Sequence, residues 1–195
     1  MSQSVTKVMP VIDFMQTRRS VPAKMMGGPG PDKNEIRQMA EIAARVPDHG
    51  KIAPWRFVEY SQAAKLRLDG LIFSRAVEKQ PDLAGELYAI EQTRMQRSPT
   101  VIGLISAPKA HPKVPIWEQE LSCGAAGMNW LIAANAFGYD AQWLTEWIAF
   151  DEVLALHFGV QGGERIAGFI HIGTRTMPKT ERDRPMLDDV FVELA

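Results

Sequence analysis

Arg45 to Phe57 reads RVPDHGKIAPWRF. A Pro-Asp-His turn closes one apolar-periodic segment, and a Pro-Trp-Arg-Phe step opens a strand beyond it. Pro47 and Pro54 bias the residues before them away from helix, so the connector between them is extended. It gathers Arg45, Asp48, His49 and Lys51 ahead of a large aromatic anchor, Trp55. Loops held between rigid elements commonly carry function, although solvated charges on a helix-to-strand connection would give the same composition. Helix before and strand after, with no regular βαβ spacing elsewhere, make the chain α+β rather than doubly wound.

Upstream, Met9 to Arg19 reads as a short helix with an apolar side of Val11, Ile12, Phe14 and Met15. Arg18 and Arg19 fall at its end, where they either complement the helix dipole or form a donor fork for anionic oxygens. A Gly- and Pro-rich connector, Gly27 to Pro31, follows. Asp32 and Glu35 have capping-box spacing. Ile36, Met39, Ala40 and Ala43 then repeat at helical spacing as a core-facing stripe, and the helix is expected to stop at Pro47.

Downstream, Arg56 to Tyr60 is expected as a strand. Ser61 to Gln80 and Pro81 to Arg97 read as two amphipathic helices, opened by Ser61 and Pro81. Thr100 to Ser106 is a buried strand. Pro115 to Phe137 is the longest helical pattern, apolar on most faces from Leu121 onward and therefore central. Its cluster Gly124, Ala125, Ala126 and Gly127 permits a close approach by another helix or a flat ligand. Ala141 to Thr145 reads as a strand, Asp151 to Phe158 as a short helix and Ile166 to Gly173 as a strand. Leu187 to Leu194 reads as an extended apolar arm reaching towards a partner subunit.

The chain has 195 residues and a net charge of −1, so it suits one domain spanning residues 1–195 with a sizeable core. Mixed acids and bases leave no electrostatic footprint for nucleic acid or an anionic membrane. No apolar run is long enough to span a bilayer and no signal-peptide pattern is seen, so a cytoplasmic location is expected. Cys123 is the lone cysteine, which excludes disulfide scaffolds and cysteine-rich zinc sites. It reads as a small buried hydrophobe. His49, His111, His157 and His171 are scattered without metal-ligand spacing, and no metal site is expected. His171, inside a strand, reads as structural. A Gly-x-Gly-x-x-Gly fingerprint, a P-loop and a Gly-x-Ser-x-Gly elbow are all absent. An enzyme built from these residues needs a bound cofactor for its hard chemistry.

Arg18-Arg19-Ser20, the Pro47-Asp48-His49 loop with Pro54-Trp55, and Gly138 to Trp147 (GYDAQWLTEW) stand in an order that resembles the FMN-dependent nitroreductase family, especially its short bacterial NAD(P)H-using members. The resemblance extends to the Glu181 to Pro185 tail, ERDRP. It implies a nitroreductase-like α+β fold, with a central mixed, mainly antiparallel sheet flanked by helices, in an interlocked homodimer with FMN sites at the interface. It implies FMN contacts at Arg18, Arg19 and Ser20, and at Arg45 and His49 delivered from the other subunit on a loop shaped by Pro47 and Asp48. Trp143, Leu144 and Thr145 resemble the segment beside the isoalloxazine. Ala133, Ala134, Asn135, Ala136, Phe137 and Gly138 resemble a nicotinamide-cofactor segment. Arg182 and Arg184 resemble the late basic residues that hold the FMN phosphate. No side chain is assigned as a catalytic acid, base or nucleophile.

The implied activity is ping-pong electron transfer from NADH or NADPH to a small nitroaromatic or quinone-like acceptor. Arg45 is the candidate cation for the charge that builds on the reduced pyrimidine ring. The chain departs from the family pattern at Ala53, where Gln is frequent, at Lys51, where Asn stands, and at Pro22, where larger members carry Lys. Those departures keep two alternatives open: a non-catalytic flavin binder, and a flavin enzyme that dehydrogenates or dehalogenates a specific metabolite.

Overall fold

The computed structural model describes residues 11–194. Met9 and Pro10, the expected start of the first helix, lie outside them. Eleven helices and strands follow one another as α1 (Val11–Thr17), β1 (Met26–Gly27), α2 (Lys33–Ala43), β2 (Trp55–Glu59), α3 (Gln62–Lys79), α4 (Gly85–Glu91), β3 (Thr100–Ser106), α5 (Ile116–Ala136), β4 (Asp140–Leu144), α6 (Glu152–Ala155) and β5 (Arg165–Arg175).

One sheet organises them. β5 pairs β3, β4 and the short β1, and β3 pairs β2. Every one of these pairings is antiparallel. Period-two alternation along β3 sends Val101 and Ile105 to one face and Ile102 to the other. The first face packs under α3 with Leu68, Ile72, Phe158 and Phe169. The second packs under α2 and α5 with Met39, Ala43, Trp130 and Ala134. Between Ile166 and Gly168 the register slips, leaving Ala167 unpaired with β3 as a bulge. That extra residue explains why Ile166 and Phe169, three apart, share one face.

Local chemistry sets the helix ends. At α2 the Asp32 carboxylate accepts from the N–H groups of Asn34 and Glu35, and the Glu35 carboxylate accepts from Asp32 N–H, the full capping box. The helix ends at Ala43, short of Pro47, because Arg45 N–H already bonds Ile42 C=O in a tight turn. Ser61 caps α3 through its hydroxyl, which accepts from Ala64 N–H.

Two expectations are corrected. Pro81 to Arg97 is not one helix: Gly85 has φ of +63° and α4 runs only to Glu91. The Asp69 carboxylate, on α3, accepts from Met95 N–H at 2.7 Å and the Gln96 amide at 2.8 Å. Those bonds hold Arg94–Gln96 as a separate 3₁₀ turn. The second correction concerns α5, whose surface is not buried all round. Ile116, Trp117 and Leu121 form an exposed apolar edge, while Cys123, Ala126, Trp130 and Ala134 face the core. α1 likewise buries no residue, with Val11 and Ile12 exposed.

After β5 the chain leaves the body. Only a 3₁₀ turn, Leu187–Asp189, interrupts the expected Leu187 to Leu194 arm, and Leu187, Val190, Phe191, Val192 and Leu194 are all exposed.

Candidate functional site

Both ends of β4 carry polar machinery. At its start, Val21 N–H donates to Ala141 C=O, and Ala23 N–H donates to the Gln142 side chain at 2.6 Å. This lays the segment after Ser20 along the strand and sets Arg18 and Arg19 beside it. The tail comes back to the same place. Arg19 Nε donates to Thr180 C=O at 3.2 Å and lies 3.4 Å from Glu181, which sits 3.7 Å from Arg184. Arg18, Arg19 and Arg184 therefore form one basic cluster with a single carboxylate among them. Burial, then Arg184, then Arg19 lower the Arg18 pKa below its ordinary value. Its Nη1 is buried with no hydrogen-bond partner among the described residues. An unsatisfied, part-buried guanidinium crowded by like charge is an arrangement completed by an anion. Ser20 and Arg182 stand exposed beside it.

Near this cluster a depression of about 180 Å³ is lined by Arg18, Asn135, Gly138, Asp140 and Lys179. Of the expected nicotinamide segment, only part meets the surface. Ala133 and Ala134 are buried in the core against α2 and Phe137 packs on it, so their side chains are not offered to a ligand.

At the far end of β4, Trp143 turns inward. Its indole N–H donates to Ala167 C=O in the bulge at 3.0 Å. Its ring lies against Gly127 of α5 and Gly168 of β5, where an added Cβ would fall 2.7 Å and 2.0 Å from indole atoms. The approach permitted by the small residues of α5 is thus made by a side chain, not by a helix. Gly124 meets nothing and is open to a cleft of about 700 Å³. Trp143, Thr145, Ser106, Cys123 and Phe150 line the same cleft. Leu144 is half-buried. Glu146 holds the turn after it at φ of +52°, its carboxylate clamped by Arg97 and Arg94.

The Arg45 to Phe57 loop is built around Asp48. Its carboxylate accepts from Ile52 N–H at 3.0 Å and Ala53 N–H at 2.8 Å. That brace holds Gly50, Lys51 and Ala53 at positive φ. Ser122 fastens the loop to α5, donating its hydroxyl to Pro47 C=O at 2.7 Å and accepting from Trp55 Nε1 at 3.2 Å. His49 Nδ1 lies 2.8 Å from Glu118. Arg45 is exposed, with its own C=O accepting from Asn129. Pro47, Asp48 and His49 line a second cleft of about 530 Å³ on the other flank of α5. Within one chain the loop and the arginine cluster therefore line different depressions.

Sequence reasoning passed over Ser106, Glu118, Ser122 and Phe150, and named Gly124 only within the small-residue cluster of α5. Two signals pointed there: a polar residue ending the apolar strand TVIGLIS, and an isolated glycine inside IAGFIHIG, which marks a bulge or a close approach. His171 is structural as expected, buried with Nδ1 2.9 Å from Ser98 Oγ. Burial raises the Cys123 thiol to a pKa of about 11, so it is not a nucleophile at neutral pH.

An antiparallel α+β body with a basic cluster at one end of an edge strand and a roomy aromatic-walled cleft at the other defines the class. The nitroreductase family model matches residues 15–174. A Haemophilus influenzae protein named "Putative NAD(P)H nitroreductase" is 33% identical over 184 residues, covering 92% of this chain and 96% of its own. Among solved structures, a nitroreductase-like family protein from Bacillus cereus has a TM-score of 0.80 at 18% identity, covering 98% of this chain and 99% of its own. The FMN and NADPH-dependent nitroreductase NfnB from sphigopyxis sp. strain HMH has a TM-score of 0.75 at 15% identity, covering 96% and 100%. The chain belongs to the nitroreductase family.

Proposed function

We propose that the chain is a single-domain FMN-dependent NAD(P)H oxidoreductase, cytoplasmic and homodimeric, that passes electrons to nitroaromatic or quinone-like acceptors. The observation that carries this reading is the buried, unpartnered Nη1 of Arg18 inside the Arg18, Arg19 and Arg184 cluster. A dianionic phosphate is the group such a cluster suits. When bound, FMN supplies the redox chemistry, two-electron uptake from NADH or NADPH and delivery to a second molecule in ping-pong order. The chain's residues do the rest. Arg18, Arg19 and Arg184 hold phosphate, with Ser20 and Arg182 beside them, and Trp143 to Thr145 flank the ring. Asn135 and Gly138 offer the surface next to Arg18 for the nicotinamide cofactor. No side chain is asked to move a proton from carbon.

The homodimer accounts for the separation of the loop from the cluster. Arg45 and His49 meet the site of a second copy, where Arg45 supplies fixed positive charge near the ring. The exposed edge of α5 and the apolar tail are the surfaces such a partner covers. Among the described residues no helix is long and apolar enough to cross a membrane.

An absorbance spectrum before and after anaerobic NADH or NADPH tests the reading. Flavin bands that bleach on addition support it. Bands that stay oxidised favour the non-catalytic flavin binder, and a chain that takes up no FMN overturns both.

A further inference from the structure

Glu146 carries a backbone conformation that its residue type does not favour. Its φ is +52° and its ψ 177°, close to a region that glycine alone adopts freely. Thr145, just before it, lines the cleft beside Trp143. Trp147, just after it, faces α3 and α4: its indole N–H donates to both Glu91 oxygens, at 3.1 and 3.2 Å, and Lys79 Nζ lies 5.2 Å from its ring centre. The chain therefore reverses at Glu146, in a conformation that persists only where its surroundings enforce it.

Two arginines enforce it. Arg97 meets the Glu146 carboxylate with both terminal nitrogens, Nη1 at 3.0 Å, and Arg94 Nη1 lies 2.8 Å from the same oxygen as Arg97 Nη1. Against its own burial, Arg97 and then Arg94 hold the Glu146 carboxyl below its ordinary pKa, so it stays ionised at neutral pH. A guanidinium that grips a carboxylate with two nitrogens fixes angle as well as distance. The arginines are fixed in turn. Arg94 is buried and also pairs with Glu91, and Arg97 Nε donates to Arg94 C=O at 2.9 Å. Asp69 of α3 ties down the 3₁₀ turn that carries Arg94 by accepting from Met95 N–H. The clamp thus runs from α3 to the wall of the cleft, and neither arginine is among the residues lining that cleft.

We infer that Arg94 and Arg97 are positioning residues, whose ion pairs keep Glu146 at positive φ and so set Thr145 and the peptide after it as a preformed wall for the flavin ring. The inference rests on the proposed flavin reading only in naming the occupant; that the clamp sets the turn is a property of the empty protein. A wall held from behind spares the ligand the cost of ordering it. Without the ion pairs the turn relaxes, and apparent affinity falls with the fraction of chains that still hold the strained conformation. Glu146→Gly allows the same conformation with no clamp at all.

Two measurements on Arg97→Met, with and without Glu146→Gly, test it: fluorescence titration with FMN, and amide hydrogen exchange of the Trp143 to Phe150 segment in the flavin-free protein. Arg97→Met is expected to weaken FMN about tenfold, because binding must draw the turn back into its strained form. The same variant should speed exchange in the segment about tenfold, as local opening becomes easier. Adding Glu146→Gly is expected to return FMN affinity to within about twofold of the parent, although the ion pairs stay broken. A merely stabilising clamp gives the opposite result, a double variant that binds FMN no better than Arg97→Met. That outcome, or an FMN affinity unmoved by Arg97→Met, overturns the inference. Should Arg97→Met fail to fold, Glu146→Ala and Glu146→Gly make the same comparison: the alanine variant is expected to bind FMN about tenfold more weakly than the glycine variant, and equal affinities overturn the inference. A parent that takes up no FMN counts against the oxidoreductase reading alone. The exchange rates then decide the clamp, and a segment that exchanges no faster in Arg97→Met overturns it.

Discussion

The indole N–H of Trp143 donates to the carbonyl of Ala167 at 3.0 Å, joining the edge strand β4 to the bulge of β5. Bond and bulge require each other. The extra residue turns the Ala167 carbonyl out of the ladder, and the indole satisfies it. Gly168 has φ of +153°, and a methyl there would meet Trp143 Nε1 at 2.0 Å and Leu144 C=O at 2.9 Å. Gly168→Ala is therefore expected to expel the indole and destabilise the chain by about 2–4 kcal/mol, combining overpacking with a lost hydrogen bond. Urea denaturation followed by tryptophan emission measures it; a midpoint unchanged from the parent would show that the bulge tolerates the methyl.

A gentler change separates the two contributions. Trp143→Phe keeps an aromatic face against Gly127 but removes the donor to Ala167. It is expected to cost about 1–3 kcal/mol, because a part-buried carbonyl loses its partner. Its denaturation slope should match the parent's, since the surface exposed on unfolding is nearly the same.

The Pro47 to Trp55 loop stores strain that substitution can release. Lys51 and Ala53 sit at φ of +54° and +48°, a region costly for residues with a Cβ and tolerated best by Gly and Asn. Lys51→Asn is expected to stabilise the protein by about 0.5–1 kcal/mol, and Asp48→Ala to destabilise it by about 1–3 kcal/mol by orphaning the N–H groups of Ile52 and Ala53. Thermal unfolding of the two variants side by side reads both signs. Two stabilities moving together would mean that the brace does not set the loop.

Much of this fold lies open in the sequence because its signals are local. The Asp32 and Glu35 box, the Ser61 cap and the apolar run from Thr100 to Ser106 depend on spacing alone, and each sits where spacing puts it. What distance along the chain conceals is tertiary. Nothing near Gln96 announces that Asp69, on another helix, interrupts the helix expected from Pro81 to Arg97. The candidate site divides in the same way. Arg18 and Arg184 are conspicuous as residue types, but their meeting depends on a tail that folds back from the end of β5 to Arg19. Ser106 looks like the polar end of a strand until the bulge at Ala167 and the bare face of Gly124 leave space in front of it.

Removing the Arg18 guanidinium should weaken phosphate binding without harming the fold. The group is part-buried, crowded by Arg184 and Arg19, and has an unsatisfied nitrogen, so the empty protein gains little from it. Arg18→Met is expected to leave stability unchanged or slightly raised while weakening FMN about 10- to 100-fold, the range for a charge-assisted bond. Riboflavin, which lacks the phosphate, should lose much less. Flavin-fluorescence titrations with both compounds check this; equal losses for the two would move the phosphate away from Arg18.

His171 makes stability depend on pH. It is buried on β5 with Nδ1 against Ser98 Oγ; burial first, then Arg97 and Lys65 against the opposing pull of Glu146, depress its pKa to about 3. Unfolded, the same imidazole titrates near its ordinary 6.5. Between those values the unfolded chain binds the extra proton, so stability is full above pH 6.5 and falls as the pH drops towards 3. From pH 7 to pH 5 the loss from this group alone is expected to be about 2 kcal/mol. Asp151, held down at about 2 by Lys79 and Arg75 against its own burial, adds a further loss only below about pH 4. Urea denaturation at pH 7 and pH 5 should show the decline in the parent and a flatter response in His171→Gln. Parallel declines in the two proteins would assign the acid sensitivity to another group.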